Sequence, residues 1–280
     1  MSWPALAAAR RRDARARLPF LIGGRVVGSV ARAHLPALAA WPQWIDCGPD
    51  AVALVAEDRD AALAQINAAL REQGLVRGWR DECFAIADPA TAQPLARTER
   101  AASRFWGTLT LGAHATGYIA DARGRPAHVW IARRSLTKAT DPGLLDNLIG
   151  GGVPHGQSPH DTLLREGWEE AGLSPAQLAA ARPGRVIRLH RDIPEGLQLE
   201  NLHTYDLPLP AGTEPRNQDG EVAAFECLPV AQALAHAAGP QMSVDAALVM
   251  LDFALRHRLL DAAQAAVLEL ASEHLWAAPH

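Results

Sequence analysis

Between Asp58 and Gln73 the apolar residues Leu63, Ile66 and Leu70 recur at helical spacing, and Gly74 stands where such a helix would close. Shorter runs in the same third of the chain predict strands: Arg25 to Val30 after a Gly23-Gly24 turn, the apolar Ala51 to Ala56, and Cys83 to Ala87. Asp88 to Gln93 holds a proline and small polar residues and is expected as a surface connection. A second unit opens near Phe105. There Thr108 to Ala120 and Ala127 to Ala132 predict paired strands around the turn Asp121-Ala122-Arg123-Gly124. Strand-like runs follow at Arg185 to His190, Leu202 to Leu207 and Val222 to Leu228, and helical stretches at Val244 to Arg256 and Asp261 to His274. This alternation predicts an α/β protein with a mixed sheet flanked by helices. There is no internal repeat, and no low-complexity segment beyond alanine richness.

One predicted helix carries an unusual polar pattern. Ser158-Pro159-His160-Asp161 reads as its start, with a serine cap, proline in the first turn and an acid three residues on. Gly172 reads as its end. Between them Glu166, Glu169 and Glu170 stand at i, i+3 and i+4 and so share one face. Leu164 and Trp168, also four apart, are expected to face the core while the acids face out. Three like charges on one turn repel, and a divalent cation would turn that repulsion into binding. Glutamate oxygens suit magnesium or manganese. The preceding Gly150-Gly151-Gly152 is expected as a loop whose carbonyls are open to a ligand or metal, because no side chain blocks them.

Composition narrows the picture. With 280 residues and 49% apolar content the chain can bury a substantial core in one or two domains. A net charge of −4 does not point to nucleic acid. Cys47, Cys83 and Cys227 are far apart and lack CxxC spacing, so neither a disulfide framework nor a zinc site is supported, and a reducing, cytoplasmic setting is expected. No apolar run approaches the roughly 20 residues that span a bilayer. The arginine-rich N-terminus reads either as a transit peptide or as a solvated amphipathic helix, the second being the simpler. Lys138 is the only lysine. No nucleophile-elbow signature is present, which disfavours covalent acyl chemistry.

Residues 151–173 resemble the Nudix box, Gly-x5-Glu-x7-Arg-Glu-U-x-Glu-Glu-x-Gly-U with U aliphatic. Gly151, Arg165, Glu166, Glu169, Glu170, Gly172 and Leu173 match, whereas Gln157 replaces the first glutamate and Gly167 the first aliphatic residue. Gly167 lowers helix propensity by roughly 1 kcal/mol relative to alanine, or else permits close packing. The resemblance continues through Phe105-Trp106-Gly107, Gly112-Ala113-His114, the runs Val129 to Lys138 and Pro142 to Asn147, Tyr205-Asp206-Leu207, Asp219-Gly220-Glu221-Val222, and Ala247 to His257. Together these are similar to the Nudix branch related to the N-terminal half of fungal thiamine pyrophosphokinase.

That resemblance implies a Nudix α/β/α sandwich over residues 106–280, preceded by a small α/β domain over residues 1–105. It also implies magnesium- or manganese-dependent hydrolysis of a small-molecule diphosphate, namely thiamine diphosphate or its oxo and oxy forms, to the monophosphate. The kinase half of the fungal protein has no counterpart here, so synthesis of thiamine diphosphate is not expected. Glu166, Glu169 and Glu170 are the implied metal ligands, with the Gly151 carbonyl assisting. Arg165 is expected to orient a glutamate. Glu221 is a later metal ligand or general base, or else a turn carboxylate, and Glu166 is the other candidate base.

Arg134 and Lys138 are candidate phosphate contacts or members of a solvated turn. Trp130 and Trp106 are candidate stacking faces or core residues. His114 is a core histidine or a substrate contact, and His155 and His160 are expected to be exposed, with His155 also a candidate phosphate contact. The small-molecule substrate is the expected partner, without nucleic acid or membrane, and a homodimer stays open. The N-terminal domain is expected either to cap the pocket or to mediate dimerisation. Three other readings remain: a different Nudix substrate, an isomerase of the isopentenyl diphosphate type, and a non-catalytic module that only binds its ligand.

Overall fold

The computed structural model describes residues 3–277. It opens on a short helix, α1 (Pro4–Ala8). Strands β1 (Arg17–Ile22) and β2 (Arg25–Ala31) form a hairpin across Gly23 and Gly24, both at positive φ. After α2 (Leu35–Leu38), β3 (Ile45–Cys47) and β4 (Val52–Leu54) complete a sheet of order β2-β1-β4-β3. The periodic stretch is α3 (Arg59–Glu72), started by Asp58, whose carboxylate accepts from the Ala61 N–H. Its Leu63, Ile66 and Leu70 are fully buried. A hairpin of β5 (Cys83–Ala87) and β6 (Pro94–Glu99) follows, then α4 (Ala102–Trp106). Trp106 is core: it stacks on Phe20 at 4.5 Å, and its indole N–H donates to Asn67 Oδ1 at 2.8 Å, so the buried polar atom is satisfied.

The second unit is built on β7 (Leu109–Ala120), β8 (Pro126–Arg134), β9 (Leu145–Asp146) and β10 (Ile149–Gly152). The acidic helix α5 (Pro159–Ala171) and the short α6 (Pro175–Leu178) come next. A long hairpin, β11 (Arg182–Ile193) and β12 (Gly196–Pro208), leads to β13 (Val222–Pro229). The chain ends with α7 (Val230–Ala237), α8 (Val244–Arg256), α9 (Ala262–Ser272) and β14 (Trp276–Ala277). The sheet order is β13-β8-β7-β12-β11-β14, with β10 also paired to β7 and β9 to β8. β7 runs parallel to β12 and antiparallel to β8, so the sheet is mixed as expected. One face packs Ala113, Ala115 and Leu148 against Leu163 and Leu178 of α5 and α6. The other packs Tyr118, Ile131, Leu189 and Leu202 under Leu248 and Phe253 of α8. This is an α/β/α sandwich behind a small α/β domain.

The arginine-rich N-terminus differs from the solvated helix expected. α1 ends at Ala8, and Trp3, Ala5 and Ala9 are buried in the core around α8. The Ala9 and Arg11 carbonyls accept from the His190 and Asp192 N–H groups of β11. The three apolar residues anchor the segment, which leaves the arginines to follow the sheet edge. The two units also meet where Arg104 of α4 pairs with Glu200 of β12 at 2.7 Å, and where the His155 N–H donates to the Cys83 carbonyl at 2.7 Å.

Candidate active site

α5 forms as its sequence dictates. The Ser158 hydroxyl accepts from the Asp161 N–H, the Asp161 carboxylate accepts from the Ser158 N–H, and Gly172 closes the helix at φ 63°. Its buried face is not the expected one. Trp168 is 57% exposed, while Leu163, Gly167 and Ala171 face the core, and Glu166 and Glu170 are only 6% and 5% exposed beside them. Gly167 explains the rotation. A Cβ there would lie 2.5 Å from Leu178 Cδ2 and 3.2 Å from Ile149 Cδ1, so a bare backbone lets α5 lie close to β10 and α6. Glu166 and Glu170 are thereby pressed onto β10 instead of pointing into solvent.

The three glycines also differ from expectation. Gly150, Gly151 and Gly152 belong to a strand, not a loop, and Gly151 lies opposite Ala113 in the ladder with β7. Each leaves room for a particular side chain: His114 against Gly150, Glu166 against Gly151, and the Phe84 ring against Gly152. The Gly150 N–H donates to Glu170 Oε2 at 2.8 Å. A flat glycine strand thus provides both the floor and a donor for the carboxylates.

Cations complete the arrangement. Arg165 forks between Glu166 Oε1 at 2.8 Å and Glu169 Oε2 at 2.7 Å. Gln157 Oε1 lies 3.5 Å from Arg165 Nε, so a neutral amide takes the supporting place of the missing box glutamate. Lys138 lies 3.4 Å from Glu170 Oε1 and is ion-paired to Glu221 through Oε2. Arg80, from the N-terminal unit, holds Glu221 through Oε1. Arg134 pairs with Asp146 at 2.6 Å and donates to the Thr140 and Asp141 carbonyls, which pins the loop that carries Lys138.

Burial sets the protonation pattern. It pushes the Glu166 carboxyl up, against the pull of Arg165 and Arg100. It pushes Glu170 up to about 8, opposed by Lys138 and reinforced by Glu166. Burial also raises Glu221, but the hydrogen bonds and charges of Lys138 and Arg80 win and hold it below its ordinary value.

The structure therefore brings Gly151, Arg165, Glu166, Glu169 and Glu170 together along α5 and β10. Arg134, Lys138, Glu170 and Glu221 line one small cleft with Asp146 and Asn147. It does not bring His114 or Trp130 there. His114 lies on the opposite face of β10 from Glu166, with Nδ1 3.1 Å from Asn147 Oδ1, because neighbouring residues of a strand point to opposite faces. Trp130 packs partly buried against the core below α5. His155 and His160 are exposed. Arg80 and Arg100 carry no sequence signal that marks them as site residues. They lie far from the box along the chain, and no local spacing ties them to it.

Among the described residues, no three His, Cys, Asp or Glu side chains converge to cage an ion as they stand. The donors nonetheless fit a hard divalent cation. Glu166 and Glu170 offer oxygens only, are buried side by side, and are balanced by Arg165 and Lys138. A separate cavity of about 650 Å³ opens between the units, lined by Phe84, Leu109, Leu111, Pro154, His155 and Gln157 among others. None of the glutamates of α5 lines it. No helix among the described residues is long and apolar enough to cross a membrane.

A family model described as "NUDIX domain" matches residues 110–246, and one described as "Domain of unknown function (DUF4743)" matches residues 5–110. "Nudix hydrolase 20, chloroplastic" of Arabidopsis thaliana is 36% identical over 216 residues, covering 76% of this chain and 57% of the relative. "Nudix hydrolase 24, chloroplastic" of the same plant is 36% identical over 206 residues, covering 73% and 56%. The chain thus spans little more than half the length of these relatives. A crystal structure of DR0079 from Deinococcus radiodurans aligns with a TM-score of 0.48 at 21% identity, over 61% of this chain and 99% of that one.

Proposed function

Since the chain belongs to the Nudix hydrolase family, we propose that it hydrolyses a phosphoanhydride in a small-molecule diphosphate with the help of magnesium or manganese. The observation that supports this most is the seating of Glu166 and Glu170, both nearly buried, against a glycine strand with Arg165 and Lys138 as counter-charges. Folding alone gives no reason to bury two carboxylates on one helical turn, because desolvation opposes it. A bound cation at Glu166, Glu169 and Glu170 would neutralise phosphate charge and polarise a water.

The chain's own groups do the rest. Lys138 contacts a phosphate oxygen, and Arg134 keeps its loop in place. Water adds to the terminal phosphorus, the bridging P–O bond breaks towards the monophosphate, and the water's proton passes to Glu166 or Glu221. The Gly150 N–H and Arg165 hold the carboxylates in register. The similarity to the thiamine pyrophosphokinase-related branch favours thiamine diphosphate or its oxo and oxy forms as substrate, giving the monophosphate and phosphate.

The test is a magnesium-dependent phosphate-release screen. It includes thiamine diphosphate, oxythiamine diphosphate, nucleoside diphosphate sugars and oxidised nucleotides, with the Glu170→Gln variant alongside. Release from one diphosphate that vanishes in Glu170→Gln, while the fold stays intact, is the expected result. Unchanged turnover in that variant removes the assigned role, and no release from any substrate favours a binding module.

A further inference from the structure

We propose that Arg80, carried by the N-terminal unit, is a phosphate-binding residue of this site. With Lys138 it forms a two-cation seat, filled by the Glu221 carboxylate, that a phosphate of the substrate takes over. The inference rests on the diphosphate reading above and adds to it a residue from the domain of unknown function.

The geometry of the seat is specific. One oxygen of Glu221 is held by Arg80 and the other by Lys138, so a single carboxylate bridges cations from two units. A phosphate presents the same pair of oxygens with more charge and a third oxygen, and guanidinium forks match it well. The side chains of Arg80 and Glu221 are 34% and 25% exposed, within reach of a solute, whereas Lys138 is 10% exposed.

Arg80 is also held in place, as a binding residue must be. Its backbone N–H donates to Glu99 Oε1 at 2.9 Å. The neighbouring Trp79 lies beneath the Arg71 guanidinium at 4.8 Å and donates its indole N–H to Asp81 Oδ1 at 2.6 Å. Asp81 sits in the left-handed region at φ 57°, which turns the chain immediately after Arg80. On the far side Gly78 packs against Ala139, next to Lys138; a Cβ on Gly78 would lie 3.1 Å from the Ala139 methyl. The Arg80 and Lys138 loops are therefore pressed together, and the seat lies between them. Arrival of phosphate separates Glu221 from both cations. The carboxylate is then free to meet the attacking water, and the N-terminal unit becomes part of the active site.

The experiment uses the full chain and methylenediphosphonate, a diphosphate analogue with no hydrolysable bridge, titrated calorimetrically in the presence of EDTA. Removing a charge-assisted contact by Arg80→Ala should weaken binding by about tenfold to a hundredfold. Arg80→Lys should recover much of the loss, and Arg77→Ala, in the same loop, should bind like wild type. Should Arg80→Ala fail to fold, Glu221→Gln gives an independent readout: it removes the competing negative charge from the seat without removing a cation, so the analogue should bind more tightly. The proposal is overturned if Arg80→Ala binds within twofold of wild type, or if Glu221→Gln binds no better. In turnover, KM should rise more than kcat falls in Arg80→Ala. If the affinity pattern holds while no diphosphate is hydrolysed, the seat stands and the hydrolytic reading falls.

Discussion

Replacing Gly151 with alanine tests whether the glycine strand positions Glu166 for chemistry. A Cβ at 151 would lie 2.5 Å from Glu166 Cγ and closer still to its carboxylate, whereas side-chain carbons essentially never come within 3.0 Å of such atoms. The strand cannot yield, because β10 is fixed in its ladder to β7. Glu166 must therefore retreat by about 1 Å, and its ion pair with Arg165 goes with it; a misplacement of that size costs on the order of 100-fold in rate. Stability should fall by about 1–3 kcal/mol, the usual cost of one extra methyl in a packed site. The assay is magnesium-dependent phosphate release beside a thermal melt. A folded Gly151→Ala protein with turnover near one hundredth of wild type is expected. Turnover within threefold of wild type would show that Glu166 has no positional role.

Two further outcomes follow from the same geometry. Burial holds the Glu170 carboxyl at about 8, above its ordinary value of 4.5. The folded, metal-free protein therefore keeps a proton there that the unfolded chain loses, so stability falls as pH rises from about 4.5 to about 8 and levels off above that. Cation binding at pH 7 must expel that proton, so calorimetry in buffers of different ionisation enthalpy should show proton release that disappears well above pH 8; buffer-independent heats at pH 7 would contradict this. Gly167→Ala sets a helix gain of about 1 kcal/mol against an overpacking cost of about 1–3 kcal/mol where Leu178 and Ile149 close in, so the melting temperature should stay level or fall. A clear rise would mean that close packing is not why glycine stands there.

Local patterns in the sequence were enough to locate most elements. The helix from Asp58 appears as α3, the Cys83 to Ala87 strand as β5, and the Val244 to Arg256 helix as α8, because each pairs a sharp period or boundary signal with local burial. The β11–β12 hairpin is longer than the runs Arg185 to His190 and Leu202 to Leu207 predict. Its outer part carries Gln198 and Glu200, buried polar residues that interrupt the apolar signal. The cap, the acids and the closing glycine of α5 were all legible, but its orientation was not. Side-chain hydropathy favours burying Trp168, whereas contact with a glycine strand and neutralisation by Arg165 and Lys138 favour burying the glutamates. Arg80 was illegible for a different reason: its link to Glu221 spans 141 positions and exists only once the two units meet.

The central claim is that the carboxylates of α5 hold a divalent cation against the glycine strand. Anomalous diffraction from a crystal soaked in manganese would test it most directly. A peak between Glu166, Glu170 and the Gly151 backbone, with Lys138 drawn away from Glu170, is the expected result. Manganese absent from that position, with Arg165 still forked across Glu166 and Glu169, would contradict it.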